Sequence, residues 1–147
     1  MARQPVLPIV ERSIALVQPH AQEHGVLVQL AERANGEAVV DSDRLQQALI
    51  NILLNAVDVS PRGAVVDIRV RPGSDRIDIS VEDHGPGLSV ETQQQMFEAF
   101  YTTKPAGTGL GLAVSKTLLE KMGAAIEAAN HNGGAMFTIQ LPRNSPS

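Results

Sequence analysis

The sequence predicts an α+β fold, a two-layer sandwich in which a mixed, mostly antiparallel sheet of about five strands is covered on one face by three helices. Two observations carry this. Segments with helical spacing of apolar residues and segments of apolar/polar alternation follow one another as helix, two strands, helix, two strands, long connection, helix, two strands. Helices therefore cannot simply alternate with parallel strands, which favours a mostly antiparallel sheet with helices on one face. With 147 residues, 43% of them hydrophobic, the chain sustains one core and not two. The domain is expected to run over residues 1–142, with 143–147 a polar tail.

The first helix is read from Ile9, Val10, Ile14, Leu16 and Val17, with Pro19 expected to kink or break it and Gly25 to stop it. "VLVQLA" and "AVV" read as short strands around the turn "ERANGE". Asp41 or Ser42 can cap a second helix, whose stripe of Leu45, Ala48, Leu49, Ile52, Leu53 and Ala56 ends at Ser60-Pro61. A hairpin follows: Val66, Ile68 and Val70 alternate with charged residues, "PGSD" turns the chain, and Ile77, Ile79 and Val81 alternate on the way back. From "DHGPGL" to "PAGTG" the pattern dissolves into a long connection with a short helix around Thr92 to Phe97, a length that marks it as disordered or functional. A third helix spans Leu110 to Met122 and stops at Gly123, and "AAIEAAN" and "MFTIQL" close the fold across "HNGG".

Composition excludes several classes of function. The formal charge is −4 and the 12 Lys and Arg are scattered, so no footprint for nucleic acid or an anionic membrane is present. Without cysteine there is no disulfide scaffold, thiol nucleophile or thiolate metal site, which fits a reducing compartment. No apolar run reaches the ~20 residues that span a bilayer, and "MARQPVLP" lacks the apolar core of a signal peptide. A soluble, cytoplasmic domain is expected, even if its parent protein is membrane-anchored.

Three constellations carry chemistry. In "GTGLGLAVSK", Gly107, Gly109 and Gly111 strip side chains from the mouth of a helix, where backbone N–H groups can approach an anion. Such an end contributes only about 0.3–2 kcal/mol to anion binding, so a triphosphate needs a cation too. Lys104 lies three residues upstream of Gly107, beside the hydroxyls of Thr102 and Thr103. A flexible linker with a solvated lysine is the alternative. In "NILLNAVDVS", Asn51, Asn55 and Asp58 share one stripe of the second helix. Amide oxygens suit Mg²⁺, although the stripe also reads as the wet side of an amphipathic helix. In "DHGPG", Asp83 ends a half-buried strand, and Gly85 and Gly87 let the backbone turn closely around it, unless this is a surface turn. His20 and His24 form an i, i+4 pair, but without a third ligand in sequence they read as exposed helix histidines.

Taken in order, these motifs resemble the catalytic ATP-binding domain of sensor histidine kinases, within the superfamily that includes gyrase, the 90 kDa heat-shock chaperones and mismatch-repair ATPases. "NILLNAVDVS" is similar to the N box, "DHGPGL" to the first glycine box, "MFEAFYTTK" to the F box, "GTGLGLAVSK" to the second glycine box and "NGGAMFTIQLP" to the closing strand pair. Residues 5–142 are covered, and the resemblance implies the Bergerat form of the sandwich. It further implies ATP and Mg²⁺ as cofactors. Asn55 is then the metal ligand, with Asn51 lining the same site, and Asn51 and Lys104 are the residues acting at the phosphates; Asp58, on the same helix face, is counted with the ATP-binding residues and is a candidate base by face. Asp83 accepts from the adenine amino group in a pocket shaped by Gly85 and Gly87. Thr102, Thr103 and Lys104 belong to a lid, roughly 88–106, anchored by Phe97 and Phe100. Gly107, Thr108, Gly109, Leu110, Gly111 and Leu112 wrap the triphosphate, and Thr138 is placed toward the adenine side.

The resemblance also implies what sets the reaction. Hydrolytic members carry a glutamate one turn before the metal-binding asparagine, whereas this chain has Asn51, and Gln47 before it. A carboxamide is no general base, which favours transfer of the γ-phosphoryl to a histidine over hydrolysis. None of His20, His24, His84 and His131 sits in the family's acceptor pattern of His, acidic residue and a proline a turn later. The acceptor is therefore expected on a separate dimerisation domain of the parent protein, with a response regulator downstream and neither nucleic acid nor membrane as partner of this segment. A degenerate docking module and a hydrolytic ATPase are the alternatives.

Overall fold

The computed structural model describes residues 1–95, 97 and 111–143. Its elements, in order, are β1 (Ala2–Pro5), α1 (Leu7–His24), β2 (Leu27–Arg33), β3 (Glu37–Val40), α2 (Ser42–Val59), β4 (Val65–Pro72), β5 (Arg76–Glu82), α3 (Val90–Gln95), α4 (Gly111–Glu120), β6 (Ala125–His131) and β7 (Gly134–Pro142). Five strands form one sheet in the order β2-β4-β5-β7-β6, with β2 parallel to β4 and the other neighbours antiparallel. Helices α1, α2 and α4 cover one face of it, α2 packing against both α1 and α4. This is the predicted α+β sandwich.

The central helix explains the architecture. Asp41 caps it, its Oδ1 accepting from the N–H groups of Asp43 and Arg44 at 3.1 and 3.2 Å. Its buried side chains, Leu45, Ala48, Leu49, Ile52, Leu53, Ala56 and Val57, meet Val66, Ile68 and Val70 of β4, Ile77, Ile79 and Val81 of β5 and Phe137, Ile139 and Leu141 of β7 in one core. Strand alternation sends the intervening residues to the other face, which is polar: Arg69 pairs with Glu82 at 2.9 Å, and Arg71 with Glu32 through two contacts of 2.6 and 2.7 Å. The β6–β7 turn is Asn132-Gly133, both at positive φ, as a two-residue hairpin turn requires.

Three expectations needed correction. Pro19 neither breaks nor ends α1, which continues to His24 and closes at Gly25 (φ 67°), whose N–H bonds back to Ala21 and Gln22. Pro19 and Ala15, the residue whose carbonyl loses its donor, are both exposed, so that carbonyl is not left buried without a partner. Leu16, counted with the apolar face, is 58% exposed. A strand at residues 2–5 was not foreseen; β1 carries no alternation of its own and is created by antiparallel pairing with β3 in a separate two-stranded sheet.

Because Pro19 lies inside α1 at an exposed position, Pro19→Ala restores one helical hydrogen bond. Urea denaturation should show stabilisation of about 1–3 kcal/mol, reduced by the freer unfolded chain.

Candidate nucleotide site

The site is built where the polar stripe of α2 meets the start of α4 and the end of β5. Ser115 makes the helix junction close: its buried hydroxyl donates to the carbonyl of Gly111 at 2.8 Å and lies 3.4 Å from that of Ala48. This brings Asn51 to α4, its Nδ2 donating to the Gly111 carbonyl at 3.4 Å while its Oδ1 accepts from Gln47 at 3.1 Å. Asn55, one turn on, is half-buried, and its side chain makes no hydrogen bond among the described residues. An amide oxygen without a described partner on this stripe fits a Mg²⁺ ligand. A Cβ at Gly111 would meet no described atom within 4 Å, so no described residue crowds this end of α4. The side chain of Leu112 is partly buried against the core.

Asp83 follows β5 on the helix-covered face and is 2% exposed. Its Oδ1 accepts from Gly85 and Ala135, both at 3.0 Å, and Oδ2 takes neither bond. Burial pushes its carboxyl above the usual aspartate range; the bonds from Ala135 and Gly85 and the neighbouring His84 oppose this, and Glu82 adds to it. Gly85 backs onto the last turn of α2, where a Cβ would lie 2.7 Å from the Val59 carbonyl oxygen. Gly87 adopts φ 81°, a conformation costly for other residues.

The structure does not gather every predicted residue. Thr138 stands opposite Ser80 and Glu127 in the sheet, on the face away from Asp83, because alternation puts Phe137 and Ile139 on the core side. Asp58 turns toward α1, its Oδ1 lying 2.7 Å from His20 Nε2 and 3.5 Å from His24 Nε2. Thr102, Thr103, Lys104, Gly107, Thr108, Gly109 and Leu110, with Phe100 and most of the proposed lid, lie outside the described residues. Phe97 is described: it packs on the core, edge-on to Phe137 at 6.5 Å, with the Lys116 ammonium 5.6 Å above its ring.

Sequence reasoning missed three contributors. Ala135 acts through its backbone N–H, which no side-chain pattern reveals. A Cβ on Gly134 would collide with the backbone carbonyl of Asp83, so β7 approaches the aspartate only because this residue is glycine. The side chain of Asn130 clamps the backbone of Leu88 from both sides, accepting its N–H and donating to its carbonyl at 2.9 Å, and so fixes where the chain leaves the glycine turn.

This fold, with an asparagine-bearing helix, a buried aspartate and a helix described from Gly111, is that of an ATPase-type domain. Residues 40–145 match the family described as histidine kinase-, DNA gyrase B-, and HSP90-like ATPase, and the chain belongs to that family. Its relatives include the sensor histidine kinase ZraS of Klebsiella oxytoca, 39% identical over 139 residues, 92% of this chain and 30% of that protein. The histidine-protein kinase AtoS of Escherichia coli is 37% identical over 140 residues, 92% of this chain and 23% of AtoS. Among solved structures, the mycobacterial sensor histidine kinase MprB superposes with a TM-score of 0.81 at 27% identity, covering 99% of this chain and 100% of that one. Full-length ShkA in complex with AMPPNP gives 0.83 at 29%, covering 100% of this chain and 32% of that one. The chain thus spans less than a third of the length of the curated relatives named here.

Two glycine substitutions separate architecture from binding. Gly134→Ala should cost about 1–3 kcal/mol in chemical denaturation through overpacking against Asp83. Gly111→Ala should leave the unfolding midpoint within a degree or two while weakening nucleotide binding in calorimetric titration.

Proposed function

We propose that this domain binds Mg-ATP and presents the γ-phosphoryl to a histidine carried by a separate dimerisation domain, in a two-component signalling relay that continues to a response regulator. The observation that carries the choice of reaction is the state of Asn51. Its carboxamide is held by Gln47 and by the Gly111 carbonyl, and a carboxamide is no general base, so the position one turn before Asn55 offers no group to take a proton from water. The similarity to sensor histidine kinases and to ShkA, solved with AMPPNP, supports the same reading.

When bound, Mg²⁺ supplies charge neutralisation at the phosphates. This chain's residues supply the placement. Asn55 holds the metal through its amide oxygen, and Asn51 lines the metal side of the site. Asp83 accepts a hydrogen bond from the adenine amino group at Oδ2, its other oxygen being fixed by two backbone N–H groups. The backbone at Gly111 leaves room at the phosphate end, where Lys104, Gly107 and Gly109 complete the enclosure. Fixing base and metal at two points about α2 positions the terminal phosphoryl for an external nucleophile, and positioning is the main catalytic lever in phosphoryl transfer.

The reading is tested by incubating the chain with Mg-ATP, with and without a histidine-bearing dimerisation domain. Phosphohistidine should form only with the acceptor; steady ATP hydrolysis in its absence would instead assign a hydrolytic ATPase. Asn55→Ala should remove the Mg²⁺-dependent gain in AMPPNP affinity, about tenfold or more, without changing the circular dichroism spectrum.

Asp83 also imposes a pH dependence. Because burial favours its neutral form, the folded state holds this proton more tightly than the unfolded one. Its effect on stability is therefore unfavourable above the raised pKa, shrinks as the pH falls below it, and is gone once the pH is below the ordinary aspartate value of the unfolded chain. Base recognition needs the carboxylate, so ATP affinity should decline on acidification at a higher pH than an exposed aspartate would cause. Asp83→Asn should abolish that limb, lower affinity roughly tenfold or more and leave stability at pH 7 undiminished; titrations across pH and thermal melts check each.

A further inference from the structure

The nucleotide reading leaves one polar cluster unused. His20 and His24 occupy successive turns of α1, the i, i+4 spacing that presents two side chains on one face. Their rings lie 4.3 Å apart between centroids. Opposite them, Asp58 projects from the last turn of α2, its Oδ1 2.7 Å from His20 Nε2 and 3.5 Å from His24 Nε2. One ligand atom from each of the three residues lies within 4.8 Å of the others.

The tautomers show what the cluster is prepared to hold. His24 Nδ1 lies 3.0 Å from the carbonyl oxygen of His20. A carbonyl can only accept, so Nδ1 carries the hydrogen and the neutral ring has its lone pair on Nε2. That lone pair faces a carboxylate oxygen, acceptor against acceptor, an arrangement that a shared cation satisfies. An Nδ1–H given to a backbone carbonyl is also how metal-binding histidines are commonly oriented. Two imidazoles and a carboxylate are a donor set for Zn²⁺ and its neighbours, whereas Mg²⁺ prefers oxygen and water. With metal–ligand bonds of about 2.0–2.2 Å, tetrahedral ligand atoms stand about 3.4 Å apart, so the 3.5 Å pair is already at that spacing; the 2.7 Å pair is a hydrogen bond in which His20 Nε2–H donates to the carboxylate, and cation binding opens it and displaces that proton from Nε2. His24 and Asp58 are 41% and 27% exposed, which leaves an entry path and a position for water.

We propose that His20, His24 and Asp58 form a binding site for a divalent transition cation of the Zn²⁺ class, distinct from the Mg²⁺ that the nucleotide brings. Occupancy joins the last turn of α1 to the last turn of α2. The second of these turns carries Val59, against which Gly85 of the glycine turn is packed, so a cation here braces the wall on which that turn rests.

The test is calorimetric titration of the untagged, chelator-treated 147-residue chain with ZnCl₂ in the absence of nucleotide, paralleled by CoCl₂ and visible absorption. One equivalent should bind saturably, Co²⁺ should show the intense bands of a low-coordinate nitrogen and oxygen site, and millimolar Mg²⁺ should not compete. His20→Gln and His24→Gln should each weaken Zn²⁺ binding at least tenfold. His131→Gln, which alters a histidine beside Glu82 on the other face of the sheet, should not. Zn²⁺ should raise the melting temperature of the unmodified chain and leave that of the His20→Gln/His24→Gln double variant unchanged. Absence of saturable binding, or equal affinity in the folded double variant, overturns the proposal. Should the double variant fail to fold, Asp58→Asn gives the same decision. Nucleotide binding is not read in any arm, so the outcome is independent of the proposed kinase activity.

Discussion

Everything in this domain depends on the burial of α2 between the sheet and its two flanking helices. Seven of its side chains are inside the core, and the transfer of such residues from water contributes about 1.5–3 kcal/mol for each large one. That requirement fixes the rotation of the helix about its axis. Once Leu45, Leu49, Ile52, Leu53 and Ala56 face inward, Asn51 and Asn55 have no choice of direction. The stripe that could bind a metal is a by-product of the stripe that makes the core, which is why a change in packing along α2 would be felt as a change in chemistry.

The second constraint is electrostatic. A carboxyl as buried as that of Asp83 is costly to ionise, and the structure compensates only partly, with two backbone N–H groups on a single oxygen. Neither bond is made to the other oxygen, which leaves it as the acceptor that the proposed base contact uses. The glycines around it serve the same end by close approach: Gly85 allows the turn to rest on Val59, and Gly134 allows β7 to pass directly over the aspartate backbone. The outer face of the sheet carries the Arg69–Glu82 and Arg71–Glu32 pairs, of which Glu82 reaches Asp83 only as a neighbouring charge that adds to the upward push on its carboxyl.

Asp58 shows how a helical wheel can be right about a face and still miss a partner. It shares the stripe of Asn51 and Asn55, but lies two turns along, where α1 comes within reach and offers two imidazoles. A contact between residues thirty-eight apart in sequence cannot be anticipated from either helix alone. Thr138 illustrates the opposite case. Alternation from Phe137 and Ile139 already requires it to point away from the core, and the strand register puts it beside Ser80, so the sheet period overrules the placement expected from resemblance.

The local pattern of the chain determined most of the elements. Helix α2 with its Asp41 cap, the stop at Gly25, both hairpins with their turns, and the order that forbids a simple parallel sheet were legible because periodicity, capping and turn chemistry act over a few residues. So were Asn51, Asn55, Asp83, Gly85 and Gly87, since each belongs to a short motif. Tertiary structure alone decided what depends on separated segments meeting. β1 exists only because β3 pairs with it, and α1 tolerates Pro19 because that side faces water. Ala135 and Gly134 matter through a backbone that approaches Asp83 from a distant strand, Asn130 through the main chain of Leu88, and His20 and His24 through a carboxylate on another helix. Sequence periodicity specifies which way a side chain points along its own element; only the packing of elements specifies what it meets.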